Sequence, residues 1–192
     1  MLSEIRKLDD LILNYIQNNL RFSVLDKIMP VVSRTGNDGA IWLVIAFLLF
    51  LSRRHREAGF MLVVSLAVCV IIGNLTLKPL VARRRPCAMH PGVKLLIPMP
   101  KDHSFPSGHT MSSFAAATIL FMADKGWGIL GFALAALIAY SRLYLYVHYP
   151  SDVLCGMICG VLIAFVTVKL VILLFRYGYR RLQLIREYGG LS

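Results

Sequence analysis

Charge is scarce in this chain, and negative charge is scarcer. Of 192 residues only 16% are charged, ten acidic against twenty-one basic, while 57% are hydrophobic. Mean hydropathy is +0.67. So little polar surface excludes an ordinary soluble globule, and lipid must be the solvent for much of the exterior. Cysteine is also sparse, with four residues and no framework. Cys69, Cys155 and Cys159 lie inside apolar runs and Cys87 stands alone, with no histidine or further cysteine placed to complete a metal set. They read as small buried hydrophobes. The first twenty residues alternate charged and apolar positions, so they are not expected to act as a secretory signal. The net charge of +11 sits at the ends of apolar runs, which fits membrane orientation and anionic headgroups, not nucleic acid.

What is present is hydrophobic length. Leu2, Ile5, Leu8, Ile12, Tyr15 and Ile16 recur at helical spacing among charged neighbours. They predict an amphipathic helix that lies on a bilayer and does not span it. Ser23-Val24-Leu25-Asp26 resembles a capping box, opening a second short helix that should end near Pro30 or Ser33. A turn at Gly36-Asn37-Asp38-Gly39 follows. Five apolar segments come next, at residues 40–51, 58–77, 111–123, 127–146 and 153–175. The first and third fall short of the ~20 residues that cross a hydrocarbon core. Gly156 and Gly160 form a small-xxx-small pattern suited to a close helix contact. The expected fold is all-α: a polytopic membrane helix bundle of about five transmembrane helices plus an amphipathic N-terminal interfacial helix. Its division would be residues 1–35 as interfacial helices and 36–192 as the transmembrane domain.

Basic loops set the expected orientation. Arg53, Arg54 and Arg56 join the first two spans, Lys125 follows the third, and Arg176, Arg180, Arg181 and Arg186 follow the last. Short basic loops favour the cytoplasm, which puts the segments around Lys78–His109 and Arg142–Asp152 outside. That outer loop is itself basic, against the rule. Charges that break the rule make sense if they serve a ligand.

Three polar clusters emerge on that side: Lys78 with Arg83-Arg84-Arg85-Pro86, Pro106-Ser107-Gly108-His109, and Arg142 with His148 and Asp152. Phosphoryl transfer needs cations and N–H donors around equatorial oxygens, a nucleophile, and an acid for the leaving oxygen. Lys78, Arg85 and Arg142 supply charge. Ser107 and Gly108 precede a helix start, where backbone N–H groups are free. His109 and His148 can divide nucleophilic and acid–base roles, and Asp152, four residues after His148, could accept from its imidazole. Singly, each has a plainer explanation as a headgroup anchor, a turn residue or a helix cap. Tyr140, Tyr144, Tyr146 and Tyr149 likewise read as an interfacial belt. Arg83 and Arg84 read as local positive potential or headgroup contacts, His90 and His103 as ordinary solvated loop residues, and His55 in the basic turn as structural. The apolar loop 87–105 could wall a lipid entrance.

In combination, Lys78-xxxxxx-Arg85-Pro86, Pro106-Ser107-Gly108-His109 and Ser141-Arg142-xxxxx-His148-xxx-Asp152 resemble the three-part signature of the type 2 phosphatidic acid phosphatase (PAP2) superfamily, in order and complete. The resemblance covers about residues 78–152. It implies His148 as the nucleophile forming a phosphohistidine, Asp152 orienting it, and His109 protonating the departing oxygen. Lys78, Arg85, Ser107, Gly108 and Arg142 would hold the phosphate, with no metal or other cofactor. Short members of this architecture resemble bacterial undecaprenyl-diphosphate phosphatases, so the expected substrate is undecaprenyl diphosphate. Phosphatidic acid or phosphatidylglycerophosphate is the alternative. A non-catalytic binder or transporter of anionic lipid is a third reading, and it would not need both histidines and Asp152 at that spacing.

Overall fold

In hydrocarbon a backbone amide has no partner except another amide of its own helix, and no strand occurs among the described residues. The computed structural model describes residues 2–90 and 92–188, with side chains from Ser3 to Tyr177. Nine α-helices follow one another among the described residues: α1 (Leu2–Asn19), α2 (Ser23–Thr35), α3 (Ala40–Leu51), α4 (Arg56–Cys69), α5 (Lys78–Val81), α6 (Pro86–Met89), α7 (Gly108–Ala123), α8 (Lys125–Tyr144) and α9 (Pro150–Tyr188). The stretches Arg56–Met89, Lys125–Tyr144 and Pro150–Tyr177 are long and apolar enough to cross a membrane. A fourth crossing forms if α2 and α3, bent by 52° at the intervening turn, act as one. The side chains of Arg180, Arg181 and Arg186, on which the orientation reading draws, lie outside the described residues.

The bundle is organised around α7. At 16 residues it is too short to span alone, yet Thr110, Met111 and residues 113–120 are all buried. Its neighbours α4, α8 and α9 enclose it. Small residues make this possible, since Ala115, Ala116 and Ala117 are fully buried. On α9, a Cβ added at Gly156 would lie 2.7 Å from the Ser107 carbonyl oxygen. One added at Gly160 would run into the Met111 carbonyl and come within 3.0 Å of the Ala115 nitrogen. Between lipid-solvated helices van der Waals contact replaces the hydrophobic effect as the driving force, and backbone-to-backbone approach maximises it. The small-xxx-small pattern therefore clamps α9 onto α7.

Two irregular stretches shape the polar end. From Val70 to Leu77 the second span widens into a π-helical turn, where the Thr76 hydroxyl donates to the Ile71 carbonyl at 2.8 Å. Pro79 just beyond has no N–H to continue regular pairing. The widening delivers a buried Lys78 at the head of α5. After α8, Tyr146 adopts φ +60, a rare conformation for a bulky residue. The chain thereby folds back and Leu145, Tyr146, Val147, His148 and Tyr149 are all buried. The fourth segment consequently stops at Tyr144, two residues earlier than its hydropathy suggests. Tyr144, Tyr146 and Tyr149 form no interfacial belt; they join Leu13, Ile16, Met29 and Cys87 in a second apolar cluster beneath α1 and α2.

The N-terminal region departs from expectation in detail. No capping box forms at Ser23: the helix is preceded by Phe22 without a side-chain cap. Asp26 instead accepts from the Arg21 Nε at 3.3 Å and the Tyr144 hydroxyl at 2.8 Å. Pro30 is tolerated inside α2, which runs on to Thr35. In α1, Leu8, Leu11 and Tyr15 are exposed, whereas Leu13 and Ile16 face the protein. Asp9, a carboxylate, lies on the same face as Leu13 and Ile16 and is buried with them. Cys155 and Cys159 are only partly buried, their sulfurs 3.8 Å apart without a bond.

Candidate active site

A cavity of about 730 Å³ opens at the end of the bundle where α7 begins. Lys78, Arg85, Gly108, His109, Arg142 and His148 line it, so six of the eight residues singled out by sequence share one wall. The other two stand behind it. Ser107 is fully buried, its hydroxyl 2.9 Å from that of Thr110 and its N–H donating to the Asp152 carbonyl at 3.1 Å. Asp152 is completely buried at the start of α9, where its carboxylate accepts from the Tyr149 N–H at 2.9 Å. It thus ties down a helix start, and its Oδ2 lies 3.6 Å from His148 Nδ1.

His148 can be assigned a tautomer from its neighbours. Arg85 Nη1 lies 3.0 Å from His148 Nε2, and a guanidinium can only donate. Nε2 therefore presents its lone pair, and Nδ1 carries the proton. That proton faces Ser104 Oγ at 3.5 Å and Asp152 Oδ2 at 3.6 Å. The second distance is too long for a hydrogen bond, so the expected direct link to Asp152 is not made, and Ser104 stands between the two groups. Ser104 donates to Asp152 Oδ2 at 2.5 Å and holds the relay together. Burial, the largest influence, pushes the His148 pKa down to about 3, against the pull of Asp152 and with the push of Arg85 and Arg142. The imidazole is neutral at pH 7, the form that can attack phosphorus.

The cations are buried and closely held. Lys78 and Arg85 both pair with Asp102, Arg85 through Nη2 at 2.8 Å to the carboxylate and through Nε at 2.9 Å to the carbonyl. Burial alone would raise the Asp102 pKa, but Lys78 and Arg85 outweigh it and hold the carboxyl well below its usual range. Arg142 hydrogen-bonds Ser33 of α2 through Nη1, while its buried Nε has no partner among the described residues. A buried donor left without an acceptor is costly, which suits a group aimed at an anion. His109 Nε2 is 2.9 Å from Asn37 Oδ1. Gly108 begins α7 near Lys78, and the first N–H groups of a helix have no partner within it. Ile97, Pro98, Met99 and Pro100 complete the wall on the loop side.

The profile of the PAP2 superfamily matches residues 58–176. The chain belongs to the PAP2 superfamily. It is 34% identical over 160 residues to an undecaprenyl-diphosphatase of Sulfolobus acidocaldarius, covering 83% of this chain and 75% of that one. It is 38% identical over 135 residues to a decaprenylphosphoryl-5-phosphoribose phosphatase of Mycobacterium tuberculosis, covering 67% and 71%. Among solved structures, Aquifex aeolicus LpxE superposes with a TM-score of 0.73 at 30% identity, over 83% of this chain and 94% of the other. As a PAP2-type membrane phosphatase, the protein is a hydrolase.

Sequence reasoning missed Ser33, Asn37 and Ser104, which hold Arg142, His109 and Asp152. Short polar residues in turns carry little signal of their own. Arg83, expected to add local positive potential, is instead tied to two carboxylates. It forms ion pairs with Asp152 at 2.6 Å and Asp9 at 2.7 Å. His90 is exposed but touches the Tyr146 hydroxyl at 3.3 Å.

Proposed function

We propose that the protein hydrolyses a polyprenyl diphosphate, undecaprenyl diphosphate above others, at the outer face of the membrane. The observation that carries this reading is buried His148, its Nε2 3.0 Å from Arg85 Nη1, set in a cavity with three cations. Nε2 attacks the terminal phosphorus. The bond to the bridging oxygen breaks, and the lipid monophosphate leaves with a proton from His109. Lys78, Arg85, Arg142 and the N–H groups at Gly108 hold the equatorial oxygens. Water then loses a proton to His109 and attacks the phosphohistidine. The P–N bond breaks, inorganic phosphate departs and Nε2 regains its lone pair. Ser107 supports the phosphate loop from behind, and Asp152 stabilises the imidazolium character that develops on attack.

The names of the relatives support a polyprenyl chain. The exposed arginine turn at the far end of the bundle, with the inward bias of such turns, supports the outward site. Residues 1–35 would lie at the outer interface, the exposed Leu8, Leu11 and Tyr15 in lipid. The partners are the lipid substrate and the bilayer.

Phosphate release by purified protein in detergent, with chelator, tests the reading on undecaprenyl diphosphate, phosphatidic acid and phosphatidylglycerophosphate. Preference for the first and a loss of at least about 10³-fold in His148→Ala are expected. Preference for a glycerolipid would move the substrate and keep the mechanism. Full activity of His148→Ala would end the phosphohistidine proposal. Inertness of well-folded wild type would favour an anionic-lipid binder.

A further inference from the structure

Behind His148, on the side away from the cavity, two carboxylates share one guanidinium. Arg83 Nη1 donates to Asp152 Oδ1 at 2.6 Å and Nη2 to Asp9 Oδ2 at 2.7 Å. Ser151 bridges the same groups: its hydroxyl is 2.7 Å from Arg83 Nη1 and donates to Asp9 Oδ2 at 2.6 Å, and its N–H donates to Asp9 Oδ1 at 2.8 Å. The Arg83 guanidinium lies 3.9 Å over the Tyr149 ring. Asp9 and Asp152 are 3% and 0% exposed at their side chains. Two buried carboxylates this close need a cation between them, and only the planar fork of arginine reaches both at once.

We infer that Asp9 and Arg83 are positioning residues for hydrolysis, making α1 part of the catalytic apparatus although none of its residues lines the cavity. Arg83 fixes one oxygen of Asp152, which leaves the other for Ser104 and the Nδ1 edge of His148. Asp9 fixes Arg83 and pins the first turn of α9 through Ser151. The helix whose other side exposes Leu8, Leu11 and Tyr15 therefore sets the aim of the imidazole. This inference rests on His148 being the nucleophile.

The test compares Arg83→Gln, Asp9→Asn and the double variant of the full chain, in kcat and KM for phosphate release. Arg83→Gln leaves two facing carboxylates without a cation, so kcat should fall about tenfold or more with KM within about twofold. In the double variant the Arg83–Asp9 pair is already broken, so kcat should fall no further than in the worse single variant instead of showing the product of the single effects. If Arg83→Gln does not fold, Arg83→Lys, which keeps charge but not the fork, should lose about tenfold in kcat. Unchanged kcat in Arg83→Gln or Arg83→Lys, multiplicative losses in the double variant, or a loss confined to KM or thermal stability would each overturn the inference. His148→Ala run alongside separates the two failures. If it is inert while Arg83→Gln matches wild type, only this inference falls. If it is active, the nucleophile assignment falls first.

Discussion

Both ends of this bundle are basic, but they treat charge in opposite ways. At the α3–α4 turn, Arg53, Arg54 and Arg56 are exposed. At the other end Lys78, Arg85 and Arg142 are 8%, 4% and 4% exposed, and Arg142 keeps a buried donor without a partner among the described residues. An exposed arginine in water or among headgroups costs the fold almost nothing, whereas a buried one must be compensated. The count of charges is therefore uninformative. Their desolvation is what separates a topology signal from a binding site.

That contrast can be broken experimentally. The largest effect is expected for Arg142→Gln, which should lower kcat about 10²-fold or more while thermal stability holds or rises, because an uncompensated guanidinium is removed. A marked loss of stability would mean that Arg142 is mainly a strut between α8 and Ser33. Next comes acid. His148 titrates at about 3 in the folded protein and about 6.5 when unfolded. Between these values the unfolded chain binds the extra proton, so stability present above pH 6.5 drains away as pH falls towards 3. Thermal unfolding from pH 7 to 4 should decline less steeply in His148→Gln than in wild type. Smaller still, Asp102→Asn frees Lys78 and Arg85 from an internal anion. Inorganic phosphate should then inhibit at a concentration lower by about threefold to tenfold. Equal or weaker inhibition would make Asp102 an organiser of the cations, not their competitor. The smallest effect belongs to the exposed end, where replacing Arg53, Arg54 and Arg56 by Gln should leave kcat/KM within about twofold.

Much of this was legible in the sequence, for different reasons in different places. Hydropathy located the long helices because lipid allows no other use for such runs. The three polar clusters identified the family because chemistry fixes both residue type and spacing. Asp9 was overlooked for its chemistry, not its place: four residues before Leu13 and seven before Ile16 it has the phase of the buried stripe, but only the distant partners Arg83 and Ser151 account for a carboxylate there. The length of α2 was hidden for a similar reason, since Pro30 ends helices by propensity but is tolerated here among the contacts with α8. Ser104 offered no pattern at all, being one serine in a loop, until folding set it between Asp152 and His148.

The glycine clamp on α7 has a consequence for how such a protein can change. Gly156 and Gly160 hold α9 against the very turns that begin with Ser107 and Met111, so the distance between the two histidine-bearing segments is fixed by the thickness of a bare backbone. A methyl group at either position would wedge the catalytic halves apart. Adaptation to a new lipid is thus channelled away from the bundle's axis, towards the turn at Asn37 and the loop carrying Ile97 and Met99, where side chains can be exchanged without disturbing that spacing.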